Sequence, residues 1–167
     1  MNAVELIKVN LHNNSNMALA LINDLKDHPT TQPTVNGGNH ALWILGHFAV
    51  SESEILHTFI LGNESFPLAG LKEKFDFKTE PTDNPENYPT FDDVMAQYQS
   101  AHAELVAYLD TITDADLDRV VENCPEDWKP YFGTVGLCLI TCTTHPAFHY
   151  GQLADVRRAL GRKPMMA

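Results

Sequence analysis

Near the carboxyl end of the chain stands the stretch Thr143-Thr144-His145-Pro146-Ala147-Phe148-His149-Tyr150-Gly151-Gln152-Leu153, inside a long apolar segment that predicts a helix. His145 and His149 are four positions apart, so on a helix they lie on one face, a turn apart. Two histidines alone hold a metal weakly, but a third, His47, lies in a second apolar segment with a helical pattern. Three neutral nitrogen ligands with an open fourth position are typical of a reactive metal site rather than a purely structural one.

The composition is that of an ordinary globular protein. The chain has 167 residues, of which 44% are hydrophobic, which is enough for a single domain with its own core. The three cysteines, an odd number, suit a reducing compartment better than a disulfide framework. The first residues, Met1–Glu5, lack the pattern of a signal peptide, and no apolar stretch is long enough to span a bilayer. We therefore expect one domain over residues 1–167, located in the cytoplasm, with no membrane partner.

The net charge argues against nucleic acid as a partner. The chain has 11 Lys and Arg residues against 22 Asp and Glu residues, a formal net charge of −11. Such a surface repels phosphate backbones, because nucleic-acid binding depends on Lys and Arg displacing counterions. The one locally basic run, Arg157–Lys163, falls near a predicted helix carboxyl end, where the helix dipole favours cations. We interpret this run as structural and expect no nucleic-acid partner.

Hydrophobic periodicity predicts four long helices and hence an all-α four-helix bundle. The helices are predicted over these ranges: Asn2 to about Lys26, Asn39 (as N-cap) to Leu61, Thr90 (as N-cap) to Ile112, and about Thr134 to Leu160. Gly62 and Gly161 follow the second and fourth helices, a common position for glycine. Residues 28–38 are predicted to form a loop, because two prolines and a Gly-Gly pair fall there.

The segment between the second and third helices, Gly62–Pro89, contains four prolines and shows no convincing period. We interpret it as a long connection with one short helical turn near residues 68–74. A connection of this length is unusual in a small domain, but it can run back along a helix of about 30 Å. It would then be a crossover that joins two parallel helices. Before the fourth helix we expect a capped turn at residues 113–117 and a loop at 124–131, whose Trp128 packs on the end of the bundle.

One narrow stripe of the fourth helix carries five polar or sulfur-containing residues: Cys138, Cys142, His145, His149 and Gln152. The stripe is apolar at both ends, so it is predicted to face the core. About 16 Å of helix rise separates Cys138 from His149, so these residues cannot all bind one ion. We interpret the cysteines as core packing. Two buried histidines that face a third would be costly without a partner, so the histidines are interpreted as ligands.

Two further polar residues lie on predicted core faces. Asn14 falls on the apolar stripe of the first helix. It is either an ordinary hydrogen-bonded core residue or part of the lining of a functional cavity. Glu54 shares the helix face of His47 but lies about two turns away. No residue of the sequence stands out as a general base, and Glu54 is kept only as a candidate near the site.

Two motifs in this order resemble the DinB/YfiT-like superfamily of metal-dependent four-helix bundles. They are Trp43–Ala49, which contains Gly-His, and His145–Leu153, which is followed by Arg157–Gly161. The long connection between the second and third helices matches as well, and the resemblance covers essentially the whole chain. The paired histidines with the trailing Gly-Gln are the more specific of the two motifs. The resemblance implies an all-α bundle of this family.

The resemblance also implies a set of site residues. By position, His47, His145 and His149 would hold a divalent ion, zinc or nickel, or iron. Gln152, a turn beyond His149, is the glutamine common in the family, and it would either contact a histidine ligand or pack between helices. Independently of the resemblance, the positions of Asn14, Glu54 and Cys142 on the predicted helices make them the other residues expected near the ion, though not bound to it.

The function implied by the resemblance is chemistry on small molecules. Similar proteins include S-transferases and isomerases that use low-molecular-weight thiols, and the family often forms homodimers through bundle faces. A three-histidine metal would lower the pKa of a bound thiol or water, which then attacks an electrophilic substrate. Other interpretations stay open. The protein is a metal-dependent hydrolase, or a non-enzymatic bundle that binds a ligand or partner with a structural metal or none.

Overall fold

The computed structural model describes residues 1–34 and 37–165, so Val35 and Asn36 of the predicted loop 28–38 lie outside the described residues. The described part consists of helices joined by turns and loops and contains no β-strand, with one isolated bridge between Val120 and Thr134. Its α-helices are α1 (Ala3–Leu25), α2 (Ala41–Glu54), α3 (Lys72–Phe75), α4 (Phe91–Leu109), α5 (Lys129–Phe132) and α6 (Val135–Ala159). None of these helices combines the length and the apolar character needed to cross a membrane. The prediction of an all-α fold is confirmed.

The long helices pack in two main pairs, α1 with α6 and α2 with α4. α1 starts with a capping box. The Asn2 side chain accepts from the backbone N–H of Glu5, and the Glu5 carboxylate accepts from the backbone N–H of Asn2. Its buried residues recur every three or four positions: Val4, Ile7, Leu11, Ser15, Ala18, Leu21, Ile22 and Leu25. This spacing gives a single inner face, as the sequence predicts.

α2 begins one residue later than predicted, because His40 rather than Asn39 is its N-cap. The His40 Nδ1 accepts from the backbone N–H of Trp43, and its Nε2 donates to the carbonyl oxygen of Thr82, both at 3.0 Å. Only a neutral imidazole can accept at one nitrogen and donate at the other. Burial lowers the pKa of His40 to about 4, so it stays neutral. Asn39 instead donates to the Gln152 side chain.

Beyond Glu54 the chain of α2 continues as a π-helix over Ile55–Ile60. The backbone N–H of Leu61 donates to the carbonyl oxygen of Leu56 at 2.9 Å, five residues back. Gly62 then ends the helix with φ +74°, a left-handed conformation that favours glycine. The predicted end at Leu61 is therefore close to the observed one, but the last turns are wider than an α-helix.

The connection between α2 and α4 contains the predicted helical turn. A 3-10 turn at Ala69–Leu71 leads into α3, and a second 3-10 turn lies at Pro85–Asn87. Phe75, at the end of α3, is fully buried. A Cβ atom on Gly46 would lie 2.4–2.6 Å from the Phe75 ring, so this close approach of α3 to α2 requires glycine. The prediction that the connection joins parallel helices stays a prediction.

α4 begins where the sequence predicts. Thr90 is its N-cap, and the Thr90 Oγ1 accepts from the backbone N–H of Asp93 at 3.2 Å. The helix ends at Leu109, three residues before the predicted end at Ile112. The capped turn expected after it is the 3-10 helix Asp114–Asp118. These starts and turns were predictable because Thr and Asp side chains cap them locally.

The segment before α6 is partly helical, whereas the sequence predicts a loop. A 3-10 turn at Glu126–Trp128 leads directly into α5. The Trp128 ring lies 6.4 Å from that of Phe59 and 5.9 Å from that of Phe132, measured between centroids. Trp128 thus packs against the π-helical end of α2. α6 follows and runs through Pro146 as one continuous helix.

The buried apolar side chains form two clusters. One surrounds Trp43 and Phe48 of α2, and the other contains Cys142 and the π-helical residues of α2. Along α6, residues up to Cys142 belong to the second cluster, and those from Leu153 onward belong to the first. The interval between them on α6 holds the paired histidines of the sequence motif.

Candidate metal centre

The three histidines predicted from the sequence converge between α2 and α6. Each offers one ring nitrogen, and the three nitrogens lie within 4.8 Å of one another. The ring centroids of His47 and His145 are 4.7 Å apart, and those of His145 and His149 are 4.9 Å apart. His47 and His149 are buried, and His145 is partly exposed. The helix spacing of the pair and the packing of α2 on α6 therefore produce one compact group.

The orientation of His47 is fixed by the connection between α2 and α4. Its Nδ1 lies 2.8 Å from the carbonyl oxygen of Phe75. A carbonyl only accepts, so Nδ1 carries the hydrogen and Nε2 keeps a lone pair. Trp43, one turn earlier on α2, stacks on the imidazole with ring centroids 4.6 Å apart and planes 19° apart. The Trp43 indole N–H in turn donates to Thr79 Oγ1 at 3.0 Å, so residues of the connection hold both rings.

The orientation of His149 is fixed within α6. Its Nδ1 donates to Gln152 Oε1 at 2.8 Å, and the same oxygen accepts from Asn39 Nδ2 at 3.2 Å. The Nε2 of His149 therefore also keeps a lone pair, and it lies 3.1 Å from Nε2 of His145. Two imidazole lone pairs at this distance repel each other unless a proton or a cation lies between them. Gln152 thus contacts a predicted ligand, the first of the two roles expected for it.

The three imidazoles are neutral at physiological pH. Burial, with a smaller contribution from the nearby His149, lowers the pKa of His47 to about 4. Burial and the two neighbouring histidines hold the pKa of His145 well below its usual value. Burial also lowers the pKa of His149. The neutral imidazole is the form that binds metals.

The residues present fit a divalent transition metal. The group supplies three neutral nitrogens and contains no carboxylate. Two of its Nδ1–H groups are engaged by oxygen acceptors, which leaves both Nε2 atoms available as ligands. This arrangement of a histidine ligand backed by an acceptor on its other nitrogen is usual in metal sites. Three nitrogen ligands leave coordination positions open, as in reactive sites.

A cavity of about 440 Å³ opens beside His47 and His145. This volume is in the range of small-molecule sites. Its remaining lining is mostly apolar and comes from α2 with its π-helix, α5, α6 and the connections: Ser51, Ile55, Phe77, Asp127, Trp128, Tyr131, Phe132 and Thr141. An organic molecule in this cavity would lie within reach of a metal held by the histidines.

Asn14 and Cys142 lie on the helices that carry or flank the site, and both have packing roles. Asn14 Nδ2 donates to the carbonyl oxygen of Thr143 at 2.8 Å and so joins α1 to α6. Of the two roles expected for Asn14, this is that of an ordinary hydrogen-bonded core residue. Cys142 is fully buried, and burial raises the pKa of its thiol well above the usual value. Burial likewise raises the pKa of Cys138 to about 12. Protonated thiols are poor ligands, which supports the interpretation of both cysteines as core residues.

Glu54 is engaged away from the histidines. Its carboxylate forms an ion pair with Lys72 of α3, and the Lys72 ammonium also lies 3.8 Å from a carboxylate oxygen of Asp76. The carboxylate thus helps to hold α3 against α2. These contacts give no support to the expectation that Glu54 lies near the ion.

Sequence reasoning missed a buried contact between a glutamate of α2 and a histidine of α4. Glu52, 2% exposed, accepts from the His102 Nδ1 at 2.9 Å. Burial raises the pKa of Glu52. Burial alone would lower the pKa of His102, but its hydrogen bond to Glu52 raises it. The available signal was a glutamate within the apolar run of α2 opposite a histidine that flanks the inner face of α4.

A protein-family model described as DinB superfamily matches residues 10–153. The matched range extends from α1 into α6 and contains all three histidines as well as Gln152. No curated protein matches the chain.

Proposed function

The chain belongs to the DinB superfamily, and we propose that it binds a divalent transition metal through His47, His145 and His149 to activate a thiol toward electrophilic small molecules. The observation that carries the metal site is the fixed tautomer of two imidazoles. His47 donates to the carbonyl of Phe75 and His149 to Gln152, which leaves each Nε2 as a ligand. Zinc, nickel and iron(II) all accept imidazole ligands, so these are the metals proposed.

A divalent ion with three nitrogen ligands keeps an open position and lowers the pKa of a thiol or water there. The chain's own residues orient the ligands and exclude water. Phe75 and Gln152 fix two imidazoles. The Phe48 ring lies 5.3 Å from that of His145 and 5.4 Å from that of His149, so the inner side of the group is dry. A dry surrounding strengthens the electrostatic effect of a bound ion.

Two features support thiol transfer over hydrolysis. The histidine group contains no carboxylate, so its ligands would not neutralise a divalent ion and an anion would be favoured in the open position, where thiolate is a softer ligand for zinc than hydroxide. Activation of water usually also needs a general base, and Glu54, the one candidate from the sequence, is paired with Lys72. A thiol needs less help, because its pKa is already close to neutral.

Metal content tests the first half of the proposal. We expect about one equivalent of zinc, nickel or iron in protein purified without an affinity tag, and almost none in the His145→Ala, His149→Ala double variant. His12→Ala is the matched control, because His12 is an exposed histidine of α1 and its loss should leave metal content unchanged. Absence of metal in the parent protein, even after reconstitution with each ion, would overturn the metal site.

Cobalt(II) substitution tests the second half without knowledge of the substrate. Addition of a low-molecular-weight thiol to the cobalt form should produce a thiolate-to-cobalt absorption band, and the double histidine variant should show none. The same samples are then assayed for consumption of the thiol by electrophilic aryl halides and epoxides. A metal-loaded protein that neither shows the band nor accelerates any of these reactions would refute thiol activation and favour a structural metal.

A further inference from the structure

The outer part of the cavity is a cluster of aromatic side chains. The Phe77 and Trp128 rings meet edge to face with centroids 5.3 Å apart, and Trp128 contacts Phe132. Phe77 is 53% exposed and Tyr131 is 66% exposed. Exposed aromatic residues grouped around a cavity are typical of ligand sites rather than of ordinary surface. The lining therefore suits a molecule with an apolar ring or chain.

The charged side chain on the cavity wall is a carboxylate, that of Asp127. Among the described residues of the cavity wall, the ionisable groups besides the histidines are the Asp127 carboxylate and the Tyr131 phenol, and none is a Lys or Arg. Within residues 1–34 and 37–165, no ion pair involves Asp127, whereas the neighbouring Lys129 is paired with Glu126 at 2.5 Å. Lys78 lies outside the lining, with its ammonium 5.2 Å from the centroid of the Phe77 ring. A carboxylate beside aromatic faces attracts cations and repels anions.

We propose that the organic molecule taken by this cavity has an apolar, ring-containing body whose outer end is uncharged or cationic, and that molecules with a carboxylate, sulfonate or phosphate at that end are rejected. The inference rests on the proposed function, since it names the class of molecule that reaches the histidine site. The inner end of the molecule would face His47 and His145, and the outer end would face Asp127. Molecules whose outer end carries a carboxylate are therefore poor substrates.

The test compares three probes that share a benzyl body and differ in the end group, on the zinc-loaded full chain at low salt: phenethylamine, phenethyl alcohol and phenylmethanesulfonate. Sulfonate is chosen as the anion because it is a weak metal ligand. Ligand-observed NMR titrations should give the tightest binding for the amine, about two- to fivefold weaker binding for the alcohol, and the weakest for the sulfonate. Equal affinities, a preference for the sulfonate, or no binding of any probe would overturn the inference.

Variants assign the preference to particular residues. Asp127→Asn should bring the amine and alcohol affinities together and leave alcohol binding unchanged. Tyr131→Ser should weaken all three probes by a similar factor, and it is safe for folding because Tyr131 is exposed. Lys78→Met is the control, which should alter no probe, and loss of sulfonate binding in it would show that Lys78 recruits anions and refute the proposal.

Zinc content is measured on the same samples. The predicted order of the three probes in protein that fails to retain zinc would refute the metal proposal and support the inference about the cavity. A different order of affinities in fully zinc-loaded protein would support the metal proposal and refute the inference about the cavity. The two proposals therefore fail separately.

Discussion

At the scale of single residues, two of the three histidines are oriented by acceptors that contact their Nδ1 atoms. Gln152 accepts from the Nδ1 of His149. We expect Gln152→Leu to lower zinc affinity about 10- to 100-fold, as is usual when such an acceptor is lost, whereas Gln152→Glu, which keeps an acceptor, should retain zinc. Competition with a chromophoric chelator measures both affinities. Unchanged affinity in Gln152→Leu would mean that the residue only packs between helices.

The histidines were predictable from the sequence, but one of their two acceptors was not. His145 and His149 share a helix face by spacing alone, and Gln152 follows at the next turn, so the sequence predicts this part of the site. The partner of His47 is the backbone carbonyl of Phe75. A carbonyl has no sequence signature, and its position depends on how the connection folds back onto α2.

At the scale of elements, the fit between α2 and α3 depends on Gly46. A Cβ atom there would lie 2.4–2.6 Å from the Phe75 ring, so Gly46→Ala should displace α3. We expect a stability loss of about 1–3 kcal/mol from overpacking and weaker zinc binding, because the carbonyl that holds His47 moves with α3. Denaturant titration and chelator competition measure the two effects.

Gly151→Ala is the matched control for this element. Gly151 lies within α6, and a Cβ atom there would meet nothing within 4 Å. The alanine should therefore stabilise the helix by up to about 1 kcal/mol. Similar stability changes in the two variants would show that the contact between α2 and α3 is not tight.

The ends of α1 and α6 are tied by Asp24, which accepts from Arg157 and Arg162 at 2.8 Å each. The hydrogen bond from Arg157, followed by the charges of both arginines, lowers the pKa of Asp24. A carboxyl group with a lowered folded-state pKa stabilises above its unfolded pKa of about 4 and loses that effect as pH falls through the folded value. Parent protein should exceed Asp24→Asn in stability by about 1 kcal/mol at neutral pH. The difference should shrink below about pH 4 in urea titrations, and a difference independent of pH would contradict the prediction.

Helix boundaries show which local signals succeed. Thr90 was predicted as the N-cap of α4, and a start of α6 was predicted near Thr134. In both helices the threonine side chain accepts from a backbone N–H of the first turn. The π-helical end of α2 and the short helix α5 were missed. Both depend on tertiary packing around Trp128, which the periodicity of a single segment does not contain.

At the scale of the whole molecule, the central parts of α1 and α6, which pack against each other, carry no Lys, Arg, Asp or Glu. The uncharged ranges are residues 9–23 and 135–154. The exposed large apolar residues on these two helices are Leu6, Val9, Met17, Ile140 and Phe148. Two copies with a net charge of −11 each repel least when they meet on an uncharged face. We expect the homodimer predicted from the sequence to form there by two-fold symmetry.

Light scattering after size-exclusion chromatography tests this interface. The parent chain should run as a dimer, and Ile140→Glu with Phe148→Glu should give a folded monomer, because two copies would then bring buried carboxylates together. Phe77→Ser, which removes an exposed aromatic residue elsewhere, should leave the dimer intact. A monomeric parent chain would refute the prediction.

The reactivity of the buried cysteines measures how often the protein unfolds transiently. Burial raises the thiol pKa of Cys124, Cys138 and Cys142, and alkylating reagents attack only thiolates. The native protein should therefore resist such a reagent, and each molecule should become modified at the rate at which it transiently unfolds. Zinc bound between α2 and α6 should make this opening rarer, and so slow the modification, by a factor that grows with the ratio of free zinc to its dissociation constant. Mass spectrometry would thus detect occupancy of the histidine site from the extent of alkylation of three cysteines that are not among the proposed ligands.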